Sequence, residues 1–239
     1  MNIALLTAGG TGNRMGQDIP KQFLCIDNKP VIVYTMQAFQ SSFDIDAIAV
    51  VCLKGWDVIL QAYANQYNIT KLKWIFEGAD SNQASIYNGI TGLLEKGCSE
   101  NDIILVHDGV RPLVSNEIIH NNIDTCTKYG YAVTGLICKE AIMELVNGNV
   151  QNIEIPRERL VRTQTPHTYR LGTLSKAHAK AAELGVRETV ASCTLMAAIG
   201  IDDQHLVIGS ENNGLKLTRP EDVELFKAMI HSQPEIWMK

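Results

Sequence analysis

A strand-length apolar segment leads into a glycine-rich loop in the stretch Asn2-Ile3-Ala4-Leu5-Leu6-Thr7-Ala8-Gly9-Gly10-Thr11-Gly12-Asn13-Arg14-Met15-Gly16. In α/β sheets a phosphate group commonly binds where such a strand ends, because glycine lets backbone amides approach an anion closely. Arg14 and Lys21 add two cations. The stretch predicts a triphosphate-binding loop at the end of a first strand; the alternative for the loop alone is a glycine-rich turn with surface cations.

Two common phosphate-binding motifs are excluded by the order of residues in this loop. Met15 stands where the dinucleotide fingerprint requires its third glycine, and no Gly-Lys-Ser/Thr follows to complete a Walker loop. The loop therefore belongs to another class of nucleotide site.

The rest of the chain alternates between strand and helix patterns. Apolar runs predict strands at 45–53, 71–76, 102–106 and 205–208, and helical periodicity is found at 30–39, 58–67, 84–94, 116–128, 172–184 and 190–199. A last helix is predicted to open at Pro220. This alternation predicts an α/β fold with a Rossmann-like, mostly parallel sheet flanked by helices on both faces, and ligands at the carboxyl ends of its strands.

The alternation is interrupted between about 132 and 161. Asn147-Gly148, a strong hairpin-turn signal, separates the β-rich segments 142–146 and 150–153. We therefore expect a β-arm at about 136–160 that projects from a single domain covering 1–239.

Composition narrows the functional class. The 239 residues carry a net charge of −5 with dispersed Lys and Arg, which argues against a nucleic-acid surface. No apolar run is long enough to cross a bilayer, so we expect a cytoplasmic protein without membrane contact. The six cysteines form no Cys-x-x-Cys pair, so neither a zinc site nor a disulfide framework is indicated.

Four motifs together resemble those of a known enzyme family. In order and spacing they are similar to motifs of the cytidylyltransferases that act on methylerythritol phosphate and ribitol phosphate. The four motifs are Ala8 to Met15 followed by Pro20-Lys21-Gln22-Phe23, then His107-Asp108-Gly109-Val110-Arg111-Pro112, Gln164-Thr165-Pro166 and Leu217-Thr218-Arg219-Pro220-Glu221-Asp222. The resemblance covers essentially the whole chain. It implies a GT-A-like nucleotidyltransferase that transfers CMP from CTP to a small polyol phosphate, with Mg²⁺ as cofactor.

The resemblance also implies roles for individual residues. Arg14, Lys21 and Lys216 are the expected catalytic cations, because this reaction depends on positioning and charge neutralisation. Asp108 is the expected Mg²⁺-bridging or ribose-binding carboxylate, with a turn-capping aspartate as the alternative. His107 is expected to be structural. The other implied nucleotide-binding residues are Ala8, Gly9, Gly10, Thr11, Gly12, Asn82 and Ser85, the last as a hydrogen-bond donor that opens a helix.

The acceptor side is implied to involve Arg111, Arg157 and Thr165. The arm resembles the element through which family members dimerise, each subunit lending an arginine to its partner's acceptor site, so we expect a homodimer. For Arg157 the alternative is a solvated cluster with Arg159 and Arg162.

Three departures from the family pattern leave the substrates open. Asn82 replaces a usual arginine, Glu140-Ala141 replaces Asp-Thr, and Val190-Ala191 replaces Thr-Asp. Val110 resembles the ribitol-phosphate branch and favours ribitol 5-phosphate as acceptor, with methylerythritol phosphate or another polyol phosphate as alternatives. UTP in place of CTP also stays open.

Two rival functions follow from the same residues. A nicotinamide-dependent oxidoreductase would need the missing third glycine and an acidic residue about 20 positions further on; Asp27 lies near that distance, but Pro20-Lys21-Gln22 interrupts the required geometry. A non-catalytic nucleotide-binding protein is the second rival, and the presence of Arg14, Lys21, Asp108 and Lys216 argues against it, because such a protein has less use for cations aimed at the α-phosphate.

Overall fold

The computed structural model describes residues 1–10, 19–154 and 156–232. Its elements follow in chain order: β1 (Asn2–Ala8), β2 (Cys25–Ile26), β3 (Lys29–Pro30), α1 (Val31–Ser41), β4 (Ala47–Cys52), α2 (Asp57–Gln66), β5 (Leu72–Glu77), α3 (Asn82–Glu95), β6 (Ile103–Asp108), α4 (Asn116–Tyr129), β7 (Tyr131–Ile137), β8 (Met143–Val146), β9 (Asn149–Glu154), β10 (Val161–Arg170), α5 (Leu171–Glu183), α6 (Ser192–Ala198), β11 (His205–Ile208) and α7 (Pro220–Ser232). Short 3₁₀ turns occupy Lys21–Phe23 and Arg157–Arg159.

Seven strands form the central sheet in the order β11-β7-β10-β6-β1-β4-β5. All neighbours pair in parallel except β10, which runs antiparallel to both β6 and β7. The predicted mostly parallel sheet is therefore confirmed. The predicted elements are present as well, although α3 begins two residues earlier than expected and α6 begins at Ser192, not at Val190.

Helices cover both faces of this sheet, which explains why a central strand such as β4 is buried along its whole length. One apolar cluster joins the sheet to α1, α2 and α4, and a second joins the opposite face to α3, α5 and α6. A third, smaller cluster packs Phe226 of α7 and Leu217 against Val31 and Val110. This third cluster positions the segment before α7 beside the end of β6.

Local sequence signals set several helix ends. The side chain of Ser81 caps α3 by accepting from the Ala84 amide, and that of Ser115 caps α4 by accepting from the Ile118 amide. Gly130 ends α4 in the left-handed conformation that glycine adopts without a steric penalty. No helix of the described residues is long and apolar enough to cross a membrane.

The β-hairpin predicted from Asn147-Gly148 is confirmed. Both turn residues have positive φ, as a type I′ turn requires, and Leu145 of β8 lies opposite Val150 of β9. The two flanking strands, β7 and β10, belong to the central sheet, so the part of the arm outside that sheet lies between Ile137 and Val161.

Candidate active site

The glycine loop leaves β1 at Ala8, where it meets the segment that follows β5. A Cβ atom on Gly78 would lie 3.0 Å from Gly9 Cα and 3.1 Å from the Cys52 carbonyl oxygen. The two backbones therefore touch, and the absence of side chains permits the contact. Gly9 and Gly78 close one end of a cleft above the carboxyl ends of the strands.

A buried glutamine fixes the position of this loop. Gln22 Nε2 donates to the carbonyl oxygens of Ala8, at 2.8 Å, and Gly10, at 3.0 Å. Gln22 and Phe23 are buried, and the Phe23 ring stacks on Trp56 with 4.5 Å between ring centroids. These contacts bring the neighbouring Lys21 to the wall of the cleft.

The cleft has a volume of about 650 Å³ and lies where β1, β4, β5 and β6 end, as Rossmann-like topology predicts. Among the predicted site residues, it brings together Ala8, Gly9, Gly10, Lys21, Asn82, Ser85, Asp108 and Lys216. Thr11, Gly12 and Arg14 lie outside the described residues.

Asp108 ends β6 and holds two cations on one oxygen. Arg111 Nε lies 2.8 Å and Lys216 Nζ 3.0 Å from Asp108 Oδ2, and the carboxylate side chain is 16% exposed. Burial alone would raise the pKa of Asp108, but the charges of Lys216 and Arg111 outweigh it and hold the pKa well below its usual range. Asp108 is therefore ionised at neutral pH.

Backbone contacts hold both cations in place. The Leu217 amide donates to the Val110 carbonyl at 3.0 Å, and the buried Leu217 side chain anchors the residue next to Lys216. Arg111 also donates from its guanidinium to the Gly214 carbonyl. The segment 214–217 and the end of β6 thus form one charged cluster.

His107 is fully buried beside this cluster and contacts it through both ring nitrogens. This agrees with the expected structural role. Nε2 of His107 lies 3.0 Å from the Arg111 carbonyl oxygen and its Nδ1 lies 3.0 Å from Thr165 Oγ1. Burial lowers the pKa of His107 to about 4, so the ring is neutral. Because a carbonyl accepts only, Nε2 carries the proton, and Thr165 therefore donates to Nδ1 and accepts from the Asp108 amide at 3.3 Å.

The start of α3 forms another wall of the cleft. This helix begins at Asn82, so the prediction that Ser85 opens it is wrong; the Ser81 cap sets the start instead. Ser85 Oγ accepts from the Ala79 amide at 2.9 Å and lies 3.2 Å from its carbonyl oxygen. The hydroxyl therefore holds the 78–81 loop in place, and its direct contact with a nucleotide stays a prediction.

A smaller cavity of about 200 Å³ adjoins the cleft. Thr7, Asn82, Asp108 and Lys216 line both spaces, and the smaller one is further lined by Arg111, Thr165, His167 and the segment 190–192. The structure thus places two of the predicted acceptor residues, Arg111 and Thr165, together beside Asp108. Two ligands in these spaces would meet at Asp108 and Lys216.

Arg157, the third predicted acceptor residue, lies elsewhere. It begins the 3₁₀ turn between β9 and β10, is largely exposed, and donates to the Lys139 carbonyl at 3.0 Å. It lines neither the cleft nor the smaller cavity. Within one subunit the arginine is therefore not part of the cluster around Asp108.

Asp108 is a carboxylate of the cleft that could help to hold a magnesium ion arriving with a nucleotide. The described residues contain no group of three or more His, Cys, Asp or Glu side chains that could hold a metal ion by themselves. Mg²⁺ commonly binds through one or two carboxylates together with substrate phosphates. Asp108 could supply that carboxylate to a cation shared with a triphosphate.

Several residues of the site were not predicted from the sequence. Gln22 holds the glycine loop through hydrogen bonds to its backbone, and Lys54 adds a cation to the cleft. His167 and Ser192 line the smaller cavity. The signal for Gln22 was its place in Pro20-Lys21-Gln22-Phe23, one of the motifs that carried the resemblance.

Comparison with known proteins gives the same assignment along the whole chain. Residues 2–232 match the family model described as 2-C-methyl-D-erythritol 4-phosphate cytidylyltransferase. The chain is 37% identical to a ribitol-5-phosphate cytidylyltransferase of Lacticaseibacillus paracasei, over 98% of this chain and 99% of that protein. It is 34% identical to a 2-C-methyl-D-erythritol 4-phosphate cytidylyltransferase of Clostridium acetobutylicum, over 93% and 94% of the two chains.

A solved structure extends the agreement to the fold. The crystal structure of 2-C-methyl-D-erythritol 4-phosphate cytidylyltransferase from Thermus thermophilus superposes with a TM-score of 0.74 and 25% identity, covering 97% of this chain and 100% of that one. Together with the glycine loop and the Asp108 cluster, these similarities show that the chain belongs to the 2-C-methyl-D-erythritol 4-phosphate cytidylyltransferase family, whose members are nucleotidyltransferases.

Proposed function

We propose that this chain transfers CMP from CTP to a polyol phosphate, with ribitol 5-phosphate as the favoured acceptor. The observation that carries the proposal is the meeting of the cleft and the smaller cavity at Asp108 and Lys216. A nucleotide in the cleft and a phosphorylated acceptor in the cavity would bring their phosphates together there. The full-length similarity to the ribitol-5-phosphate cytidylyltransferase of L. paracasei supports the choice of acceptor.

The reaction joins two anions, so its main requirement is charge neutralisation. An oxygen of the acceptor phosphate attacks the α-phosphorus of CTP, the bond from that phosphorus to the bridging oxygen breaks, and pyrophosphate leaves with the bond electrons. Lys21 would neutralise the triphosphate from one side, and Lys216 would lie between the α-phosphate and the acceptor. No general base is required, because the attacking phosphate is already ionised.

Asp108 organises the acceptor side of this arrangement. It fixes Lys216 and Arg111 through Oδ2, so both cations are in place before a ligand binds. We propose Mg²⁺ as the cofactor, held by Asp108 and the triphosphate, where it would supply additional charge neutralisation at the phosphates. CTP and polyol phosphates are charged metabolites, and the proposal places the enzyme in the cytoplasm with them.

The proposal includes a homodimer formed through the arm. Leu145 is 70% exposed and Val150 63% exposed, and these two apolar side chains lie opposite each other in the hairpin, with Met143 on the same face of β8. An exposed apolar face of this kind commonly marks a protein interface. We propose, from the family resemblance, that in such a dimer the exposed Arg157 binds the acceptor phosphate at the partner's cavity.

The direct test is pyrophosphate release with Mg²⁺ and CTP, comparing ribitol 5-phosphate, 2-C-methyl-D-erythritol 4-phosphate and glycerol 3-phosphate, with UTP in a parallel series. We expect release with ribitol 5-phosphate and at least a hundredfold lower kcat for Lys21→Ala and Lys216→Ala. Lys176→Ala, which removes a surface lysine paired with Glu100, is the matched control and should retain full activity.

The outcome also separates the alternatives. Preference for 2-C-methyl-D-erythritol 4-phosphate would assign the chain to the other branch, to which the C. acetobutylicum relative belongs by name. Nucleotide binding without release for any acceptor would contradict the proposal and favour a non-catalytic nucleotide-binding protein.

A further inference from the structure

Two buried polar side-chain atoms of residues that line the smaller cavity lack hydrogen-bond partners. Among the residues that the structure describes, His167 Nε2 and Ser192 Oγ have none, although each residue is only 2% exposed. An unpaired buried polar atom destabilises the folded chain unless another group pairs with it. Both residues line the smaller cavity, so a ligand bound there is a candidate partner for both atoms.

The register of the sheet locates His167 relative to the charged cluster. His167 of β10 pairs with Val106 of β6, which lies two residues before Asp108 on the same face of its strand. His167 therefore lies about 6–7 Å from the level of Asp108, toward the amino end of β6, by the rise of two residues. The cavity has a charged end at Asp108, Arg111 and Lys216 and a neutral end at His167.

The neutral end suits hydroxyl groups. Burial lowers the pKa of His167 to about 4, so the ring is neutral. A hydrogen bond to the backbone of Gln164 acts in the opposite direction and raises this pKa, which is the effect expected when the ring donates to a carbonyl oxygen. Since Nε2 is the unpartnered nitrogen, that bond belongs to Nδ1, and Nε2 of the neutral ring keeps a lone pair without a partner. The Ser192 hydroxyl can donate or accept. Val190 and Ala191, which also line the cavity, add no charge.

We infer that His167 Nε2 and Ser192 Oγ bind the hydroxyl groups of the polyol acceptor at the end away from its phosphate, and so determine which acceptor the enzyme selects. The inference rests on the proposed function for the identity of the acceptor. It assigns recognition of the phosphate to the charged end and recognition of the hydroxylated chain to these two residues. A longer polyol phosphate would contact both ends, whereas a three-carbon one would contact mainly the charged end.

Binding can be measured without turnover, by calorimetric titration of the Mg²⁺-loaded protein saturated with a CTP analogue that has a methylene bridge between the α- and β-phosphates. The probes are ribitol 5-phosphate, 2-C-methyl-D-erythritol 4-phosphate and glycerol 3-phosphate. We expect Ser192→Ala to weaken the binding of ribitol 5-phosphate about five- to tenfold, as the loss of one hydrogen bond would. Its effect on glycerol 3-phosphate and on the analogue should be less than twofold.

Two substitutions of His167 separate the two ring nitrogens. The amide of His167→Gln reaches about as far as Nε2 and should retain binding of ribitol 5-phosphate within about threefold, whereas the shorter His167→Asn reaches only to the Nδ1 position and should lose about tenfold. His178→Gln is the matched control, because His178 Nε2 is also buried and unpartnered but does not line this cavity.

The following results would overturn the inference. One is equal weakening of ribitol 5-phosphate and glycerol 3-phosphate by Ser192→Ala; another is equal binding by the Asn and Gln variants of His167. A third is a wild-type protein that binds neither of the two longer polyol phosphates. Binding with the expected pattern but no pyrophosphate release would leave this inference standing and contradict the proposed catalytic function.

Discussion

The ammonium group of Lys216 lies 3.0 Å from Asp108 Oδ2, which joins the segment before α7 to the end of β6. The two residues are far apart in the sequence, and their contact lies where the cleft and the smaller cavity meet. Arg111 reaches the same oxygen, so one carboxylate balances two cations. We therefore expect Asp108 to affect both catalysis and stability.

We expect Asp108→Asn to lower kcat for CMP transfer at least a hundredfold, because Lys216 and Arg111 lose the charge that orients them and the proposed carboxylate for Mg²⁺ is removed. The free energy of unfolding should fall by about 1–3 kcal/mol, since two cations remain without their partner. Pyrophosphate release and urea unfolding measure the two effects. Asp203→Asn, at an exposed loop position, is the control; a tenfold or smaller loss of kcat for Asp108→Asn would contradict the role.

Gln22 provides a test of how the glycine loop is positioned. Gln22→Met keeps the length of the side chain but removes both hydrogen bonds to Ala8 and Gly10. We expect KM for CTP to rise about tenfold and the free energy of unfolding to fall by about 1–3 kcal/mol, because two backbone carbonyls lose their donor. Gln61→Met, which removes an exposed contact within α2, is the control for surface loss of an amide. An unchanged KM for CTP would show that the loop needs no such support.

The sequence predicted the fold because its strands and helices alternate with clear periodicity and turn residues. The Asn147-Gly148 hairpin and the Pro220 helix start are local signals, and both are confirmed. The start of α3 was misplaced because Ser85 was assigned the role that the Ser81 side chain performs through its bond to Ala84. Which serine caps the helix depends on whether the backbone amide two or three residues further on reaches its side chain.

The candidate site was only partly predictable, for a different reason. Motif resemblance indicated Asp108, Arg111 and Lys216, and the structure brings them together. His167 and Ser192 carry no comparable signal, because an unpaired buried polar atom is a property of the packed structure and not of the sequence. Residues of this kind become visible only when the cavity that they line is known.

Stability should depend on pH through three buried histidines, His107, His167 and His178, whose pKa burial lowers to about 4 in each case. Between pH 6.5 and 4 the unfolded chain binds more protons than the folded one, so stability rises with pH across this window and falls as pH is lowered through it. At pH 5 the loss should be about 2 kcal/mol per histidine relative to pH 7.5.

Urea unfolding between pH 4.5 and 7.5 measures this dependence. His178→Gln should reduce the histidine contribution by about a third and leave the other two groups unchanged. If the wild type and this variant lose stability equally as pH falls, His178 is not protonated differently in the folded and unfolded chains.

The proposed dimer can be disrupted at the exposed face of the arm. Leu145→Glu puts a charge where an interface would bury it, while the side chain is exposed within one subunit, so the fold of the subunit itself should be unaffected. Sedimentation should shift from dimer to monomer, and CMP transfer should fall with it. Glu144→Gln, on the opposite face of β8, should leave both unchanged. A wild-type protein that sediments as a monomer at micromolar concentration would remove this part of the proposal.

Mixing two inactive variants tests whether Arg157 acts on the partner subunit. Arg157→Ala and Lys21→Ala each damage every site of their own homodimer. If Arg157 crosses the interface, a mixed dimer has one site with an intact Lys21 and an intact Arg157 from the partner, and one site with both defects. Random exchange makes half of the dimers mixed, so activity should recover to about a quarter of the wild-type value. If Arg157 acts within its own subunit, each site of the mixed dimer carries one defect and mixing restores nothing.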